Sequence, residues 1–202
     1  MQGIQGTLLG LVVIAVSACS GATPQEGETS AANEQELNAS VCPEGVPPAI
    51  APAADQTIKL SLQAVGVQVY VCNATATGFG WTFVAPQANL YNEDGRLVGT
   101  HFIGPTWQSN DGSSVVAARA AGATPDPSAI PWLLLNATGH SEVDGKFSDV
   151  TAVQRLDTVG GIAPTSTCDS SNLGSIAQVP YTAQYVFYRT KRHGRAAQCN
   201  GS

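Results

Sequence analysis

No other stretch narrows the choice of fold as far as Val65–Cys72, VGVQVYVC, where two kinds of residue alternate without a break. Val65, Val67, Val69 and Val71 fall on one face of an extended chain, and Gly66, Gln68, Tyr70 and Cys72 on the other. A period of two held over a whole segment is the pattern of a β-strand. Both faces can be buried in a two-layer fold, and Gln68 and Tyr70 then need hydrogen-bond partners. Thr57–Leu62 alternates in the same way, and no stretch of the chain sustains a helical period. Charged residues make up 12% of the chain, about half the usual share, alongside 21 glycines and 12 prolines. That balance favours short strands and turns over amphipathic helices.

Further strands are predicted at Gly80–Val84, at Asn89–Tyr91 beyond an interruption by Pro86, and at Leu97–Ile103. Asn92-Glu93-Asp94-Gly95 is a turn that makes a hairpin of the last two. Ser113–Arg119, the apolar run Ile130–Leu135, Val150–Leu156 and the aromatic Tyr181–Arg189 complete the set. Val150–Leu156 sends Gln154 and Arg155 to opposite faces. Ser170–Gln178 is the one place where a short helix fits. The expected fold is all-β: a single-domain antiparallel sandwich or barrel of about eight or nine strands with little helix.

Residues 1–18 carry no charge, and Leu8–Val16 is an apolar run too short to span a bilayer, which reads as an export signal. Val16-Ser17-Ala18-Cys19 looks like a bacterial lipobox, with Cys19 lipidated to become the mature N-terminus. The leading MQGIQGT lacks the usual Lys or Arg, which keeps open plain secretion after cleavage at Ala18. Residues 19–40 form a polar tether with no means of burying enough surface to order itself, and carry Glu26, Glu28, Glu34 and Glu36. From Val41 onward 11 acidic residues face 9 basic ones, so most of the net charge of −6 belongs to the tether. A near-neutral domain offers no basic field for nucleic acid. The β domain is expected over 41–190, and 191–202 is a solvated basic tail that Cys199 can tie back.

Five cysteines leave an odd thiol in an oxidising compartment, and a lipid on Cys19 accounts for it. Cys42, Cys72, Cys168 and Cys199 then allow three pairings. Cys72–Cys168 within the fold and Cys42–Cys199 tying the ends are the favoured pair. No C-x-x-C is present, which disfavours zinc and thioredoxin-like chemistry.

Several blocks taken in order resemble a family of exported bacterial and fungal proteins known only as domain of unknown function three-four-five-five. They are VGVQVYVC, WTFVAPQANLY (Trp81–Tyr91), VGTHFIGPTWQSNDGS (Val98–Ser113), IPWLLL (Ile130–Leu135), VQRLDTVGGIAP (Val153–Pro164) and VPYTAQYVFY (Val179–Tyr188). The resemblance implies no activity, cofactor or site residue. Nor does the chain carry a G-x-G-x-x-G after a strand or an alternating β/α pattern for a dinucleotide.

Candidate chemistry concentrates in Leu97–Val116. His101 and Asp111 are the one pair able to do acid–base work, though the plainer reading is a histidine bonded within a loop and an aspartate serving the Asp111-Gly112 turn. Ser113 and Ser114 offer hydroxyls without a G-x-S-x-G elbow. His101, His140 and His193 are too scattered for a metal site, and no cofactor is expected. Trp107 follows Gly-Pro-Thr in a turn-rich loop, and an exposed indole beside Asn110, Asp111 and Arg155 suits stacking on a sugar or another flat ligand. The other tryptophans and the tyrosines read as core. The first expectation is therefore a non-catalytic, envelope-tethered domain binding a small molecule, glycan or protein through this loop. A hydrolase using His101 and Asp111 is the second, and a purely structural envelope protein the third.

Overall fold

The computed structural model describes residues 45–191, which belong to the second of two units, Met1–Asn38 and Ala39–Ser202. The export signal, Cys19, the tether, the Cys42–Cys199 bridge and all of the basic tail except Lys191 lie outside the described residues. Eight strands follow one another: β1 (Gln56–Thr75), β2 (Gly78–Tyr91), β3 (Leu97–Phe102), β4 (Thr106–Ser109), β5 (Ser114–Ala123), β6 (Trp132–His140), β7 (Ala152–Gly160) and β8 (Ile176–Thr190). Each pairs antiparallel with the next, and β1 pairs with β8 to close a barrel. Between the sandwich and the barrel, the chain forms the barrel. The only helical piece among the described residues is the 3₁₀ turn Pro48–Ile50.

Four of the predicted strands merge into two. Thr57–Leu62 and Val65–Cys72 are one strand because the alternation passes between them in phase, with Leu62, Ala64, Gln68, Tyr70 and Cys72 all buried. Gly66 sits where β1 and β2 approach most closely. A Cβ there would lie 2.1 Å from the Gln87 carbonyl oxygen. Pro86 does not interrupt β2. It lies next to the register shift opposite Val69/Tyr70 and beyond β2's last pairing with β3, Ala88↔His101, where a missing N–H is tolerated.

The expected helix over Ser170–Gln178 does not form. The Asp169 carboxylate accepts from the Ser171 N–H and hydroxyl, and the Asn172 side chain accepts from the Asp169 N–H. These side chains satisfy locally the amides a helix would have used. The segment instead packs across one end of the barrel. The Cys72 and Gly174 N–H groups bond the Ser175 and Cys72 carbonyls, Tyr70 donates to the Gly161 carbonyl at 2.7 Å, and Trp81 donates to that of Ser166.

Two apolar layers result. Leu62, Leu90, Trp107, Val115, Leu135, Phe147, Val153, Tyr185 and Phe187 pack inside the barrel. Outside it, Ile50, Ala152, Leu156, Val186 and Tyr188 form a second cluster with Val46, Trp132 and Leu134. Burial on both faces explains why β6 and β8 read as apolar runs rather than alternating strands. Gln154 belongs to the outer layer: its Nε2 donates to the Ile50 carbonyl at 2.6 Å, and its Oε1 accepts from the Tyr188 hydroxyl at 2.5 Å. Arg155 points the other way, as the alternation requires.

The Cys72–Cys168 bridge joins β1 to the end-covering segment, with Cα atoms 5.5 Å apart and 96 positions between them in sequence. A bridge closing so long a loop contributes roughly 2–4 kcal/mol, chiefly by restricting the unfolded chain. Cys168→Ser, or reductant added to the native protein, is expected to lower the melting temperature by on the order of 10 °C. An unchanged melting curve contradicts this.

Candidate functional site

The β3–β4 hairpin turns at Ile103-Gly104-Pro105, and its register sets His101 directly opposite Trp107. Both side chains point into the barrel. Their rings stack at 4.4 Å between centroids and 9° between planes. Tyr185 of β8 meets His101 edge-on at 5.0 Å and Trp107 at 5.3 Å, and Phe187 and Phe147 continue the packing. Trp107 is 1% exposed and His101 3% exposed. The expectation of an indole displayed on a surface loop is therefore corrected. The turn residues that pointed to a loop belong to a tight hairpin, and the hairpin's pairing carries Trp107 inward.

Burial, opposed by the hydrogen bond to the Thr106 carbonyl and aided by the charge of Arg155, pushes the His101 pKa down to about 3. The ring is neutral at ordinary pH. Its Nδ1 lies 2.9 Å from that carbonyl, which can only accept, so Nδ1 carries the proton and Nε2 the lone pair.

Asp111 and Asn110 serve the opposite end of β4. Asn110 Nδ2 donates to the Leu97 carbonyl at 2.9 Å and braces the start of β3. Asp111 accepts from the Ser113 N–H and hydroxyl and from the Lys146 N–H, with the Lys146 ammonium 3.5 Å away. Desolvation works against the carboxylate, but the bonds from Ser113, Lys146 and Ser109 outweigh it and hold its pKa well below the usual range. A Cβ on Gly145 would come within 2.7 Å of both Asp111 Oδ1 and Ser113 Oγ, so this knot clamps the β6–β7 connection to the β4–β5 turn. His101 and Asp111 bond to different partners and do not form the acid–base pair considered from sequence. Asp111 and Asn110 likewise stand apart from Trp107's surroundings.

What the structure does bring together is His101, Trp107 and Arg155, around a cavity of about 400 Å³ inside the barrel. Gln68, Tyr185, Leu133 and Leu135 line it from β1, β8 and β6, with Phe83 and Val84 of β2 at its rim. Arg155 Nε and Nη2 both donate to the Pro131 carbonyl, at 3.0 and 2.8 Å. Burial raises the pKa values of the Tyr70, Tyr181 and Tyr185 hydroxyls, and the Arg155 charge pulls each of them back. Among the described residues, Gln68 Nε2 and Trp107 Nε1 are buried with no hydrogen-bond partner. The buried Tyr181 and Tyr185 hydroxyls interact with each other, and Tyr185 also with Arg155. Among the described residues no three His, Cys, Asp or Glu side chains converge as metal ligands would.

Sequence reasoning missed Gln68, Tyr185 and Arg119 as cavity residues because they arrive from distant strands. The phase of VGVQVYVC had already shown that Gln68 needs a partner if buried. This is a closed eight-stranded antiparallel barrel with a largely apolar interior into which a few polar side chains project. The family described as a protein of unknown function (DUF3455) matches residues 52–189, more than half of the chain, and the chain belongs to it. No curated protein and no solved structure matches it.

The buried imidazole makes stability depend on pH. Its pKa is 6.5 when unfolded and about 3 when folded, so between those values the unfolded state binds a proton that the folded state does not. Its contribution is complete above that window and is lost as pH falls through it, by up to about 1.4 kcal/mol per pH unit. Denaturant titrations between about pH 4.5 and 7 are expected to show this slope, and His101→Asn, whose amide still reaches the Thr106 carbonyl, to flatten it. An equal slope in both proteins contradicts the assignment.

Proposed function

We propose that this domain is a non-catalytic binding protein that takes a small molecule into the lumen of its barrel. The observation that carries this reading is that two buried donors without partners, Gln68 Nε2 and Trp107 Nε1, belong to residues lining one cavity together with Arg155. Each unsatisfied group costs about 1–3 kcal/mol, a cost that a bound polar group removes. An eight-stranded barrel is wide enough to be filled by side chains or to hold one small ligand; here side chains fill part of it and leave a cavity near 400 Å³, at the small end of the range for ligand sites. A purely structural protein leaves these donors without a purpose. The hydrolase reading fares less well, because a histidine with a pKa near 3 is a weak base and Ser113 is engaged with Asp111 and the Phe147 N–H. The leader and Val16-Ser17-Ala18-Cys19 support an exported domain held at the cell envelope by a lipid on Cys19, with plain secretion the alternative.

Calorimetric titration with small naphthalene derivatives, acidic and neutral, tests the reading. At least one is expected to bind with one-to-one stoichiometry. Leu133→Trp, which fills the lumen, is expected to abolish binding while leaving the far-UV circular dichroism of the barrel intact. Undiminished binding to a folded Leu133→Trp protein places the ligand elsewhere and overturns the proposal.

A further inference from the structure

Gln68, Trp107 and Tyr185 line the cavity, and Gln68 Nε2, Trp107 Nε1 and the Tyr185 hydroxyl can all donate. Against these three donors stands one acceptor, His101 Nε2. A group rich in acceptors complements such a wall.

Charge points the same way. Two guanidinium groups, Arg155 and Arg119, line the cavity, and among the described residues no Asp or Glu does. The ion pairs among the described residues join Lys59 and Arg189 to Asp149 and Lys146 to Asp111, and neither cavity arginine takes part. Arg155 is half-buried, and its Nε and Nη2 bond a neutral carbonyl, that of Pro131. The guanidinium is thereby held in one orientation, beside the Tyr185 hydroxyl, and its five N–H groups exceed what these neutral acceptors take up. Arg119 folds back over the cavity wall, and its Nη2 lies 2.6 Å from where a Gly122 Cβ would be. Two positive charges persist here in a domain whose net charge is negative. A partly desolvated cation with no counter-ion is stabilised by an anionic ligand.

The remaining walls define the rest of the ligand. Leu133, Leu135 and the His101–Trp107 stack are apolar surfaces, and at the rim Phe83 and Val84 are 50% and 44% exposed. Ile103, in the hairpin turn beside that rim, is 62% exposed. An acid head inside with an apolar body lying toward the rim satisfies both sets of walls.

We propose that this lumen binds a monocarboxylate with an apolar body, its carboxylate held by Arg155 together with the donors of Gln68, Trp107 and Tyr185. The inference rests on the lumen being the binding site and adds the chemistry of the ligand. A carboxylate is planar and acceptor-only, with two oxygens to share among these donors. Arg119 at the wall adds longer-range attraction. A phosphate or sulfonate head shares the anionic chemistry, and the experiment separates it.

Naphthoate, octanoate, their neutral amides, phenyl phosphate and naphthalene sulfonate are titrated calorimetrically into the wild-type barrel. At least one carboxylate is expected to bind at least about ten-fold more tightly than its amide. Arg155→Gln is expected to erase that preference while keeping the weaker binding of the amide. Because Arg155 also braces Pro131, the exposed Arg119→Gln is made in parallel and is expected to weaken the carboxylate a few-fold and the amide not at all. Equal affinities for acid and amide overturn the carboxylate assignment and leave the lumen as a neutral site. Tighter binding of the phosphate or sulfonate overturns it in favour of another anion. No binding by any of the compounds overturns both this assignment and the lumen reading beneath it.

Discussion

The ladder between β1 and β8 runs from Gln56↔Thr190 to Val71↔Ile176 and turns a row of hairpins into a closed sheet. Closure gives every strand an inside and an outside, so the two-residue period of each strand sorts its side chains between them, with breaks only at the register shifts. It also removes the open edges at which a sheet would pair with other chains. Without it, His101 and Trp107 would still stack across their own hairpin, but Tyr185 of β8 and Gln68 of β1 would not reach them. The aromatic packing of His101, Trp107, Tyr185, Phe187 and Phe147 fills part of the interior. The cavity beside it is bounded by residues from every strand.

The class of fold was legible because it depends on local periodicity, and so were the turns at Asn92–Gly95 and Asp111–Gly112. Cysteine arithmetic left three pairings open, and the favoured Cys72–Cys168 is formed. Which face of VGVQVYVC lies inside was not legible, since alternation leaves a two-fold choice that only closure resolves. The answer places Gln68, Tyr70 and Cys72 inside and leaves Val65 52% exposed. Trp107 was misjudged for a related reason. Glycine, proline and threonine before it marked a turn, but the turn was that of a hairpin two residues away, and pairing with His101 fixed the indole's direction. Arg155 was correctly set opposite Gln154, and strand phase alone was enough for that. Tyr185 was legible as a core residue on the inward face of its strand, but its meeting with Arg119 and Arg155 was not, because that is a product of long-range topology.

The interior shows a division between stability and readiness to bind. On the outer layer Gln154 satisfies both the Ile50 carbonyl and the Tyr188 hydroxyl, and the segment beneath the Pro48–Ile50 turn is held firmly. In the lumen the same kinds of group, the Gln68 amide and the Trp107 indole, are buried without partners among the described residues. A sequence selected only for stability would have filled that space with apolar side chains. His101 fits this pattern as a wall: its neutral ring is locked by the Thr106 carbonyl and supports the indole rather than exchanging protons.

The most direct test observes one of those donors. The indole N–H of Trp107 gives a nuclear magnetic resonance signal that Trp107→Phe identifies, and the Trp81 indole, already bonded to the Ser166 carbonyl, is an internal control. On addition of naphthoate, the Trp107 indole proton is predicted to move downfield as it acquires an acceptor, while that of Trp81 stays in place. A Trp107 signal that does not respond, or one that moves only as much as Trp81, contradicts the view that this lumen is a binding site.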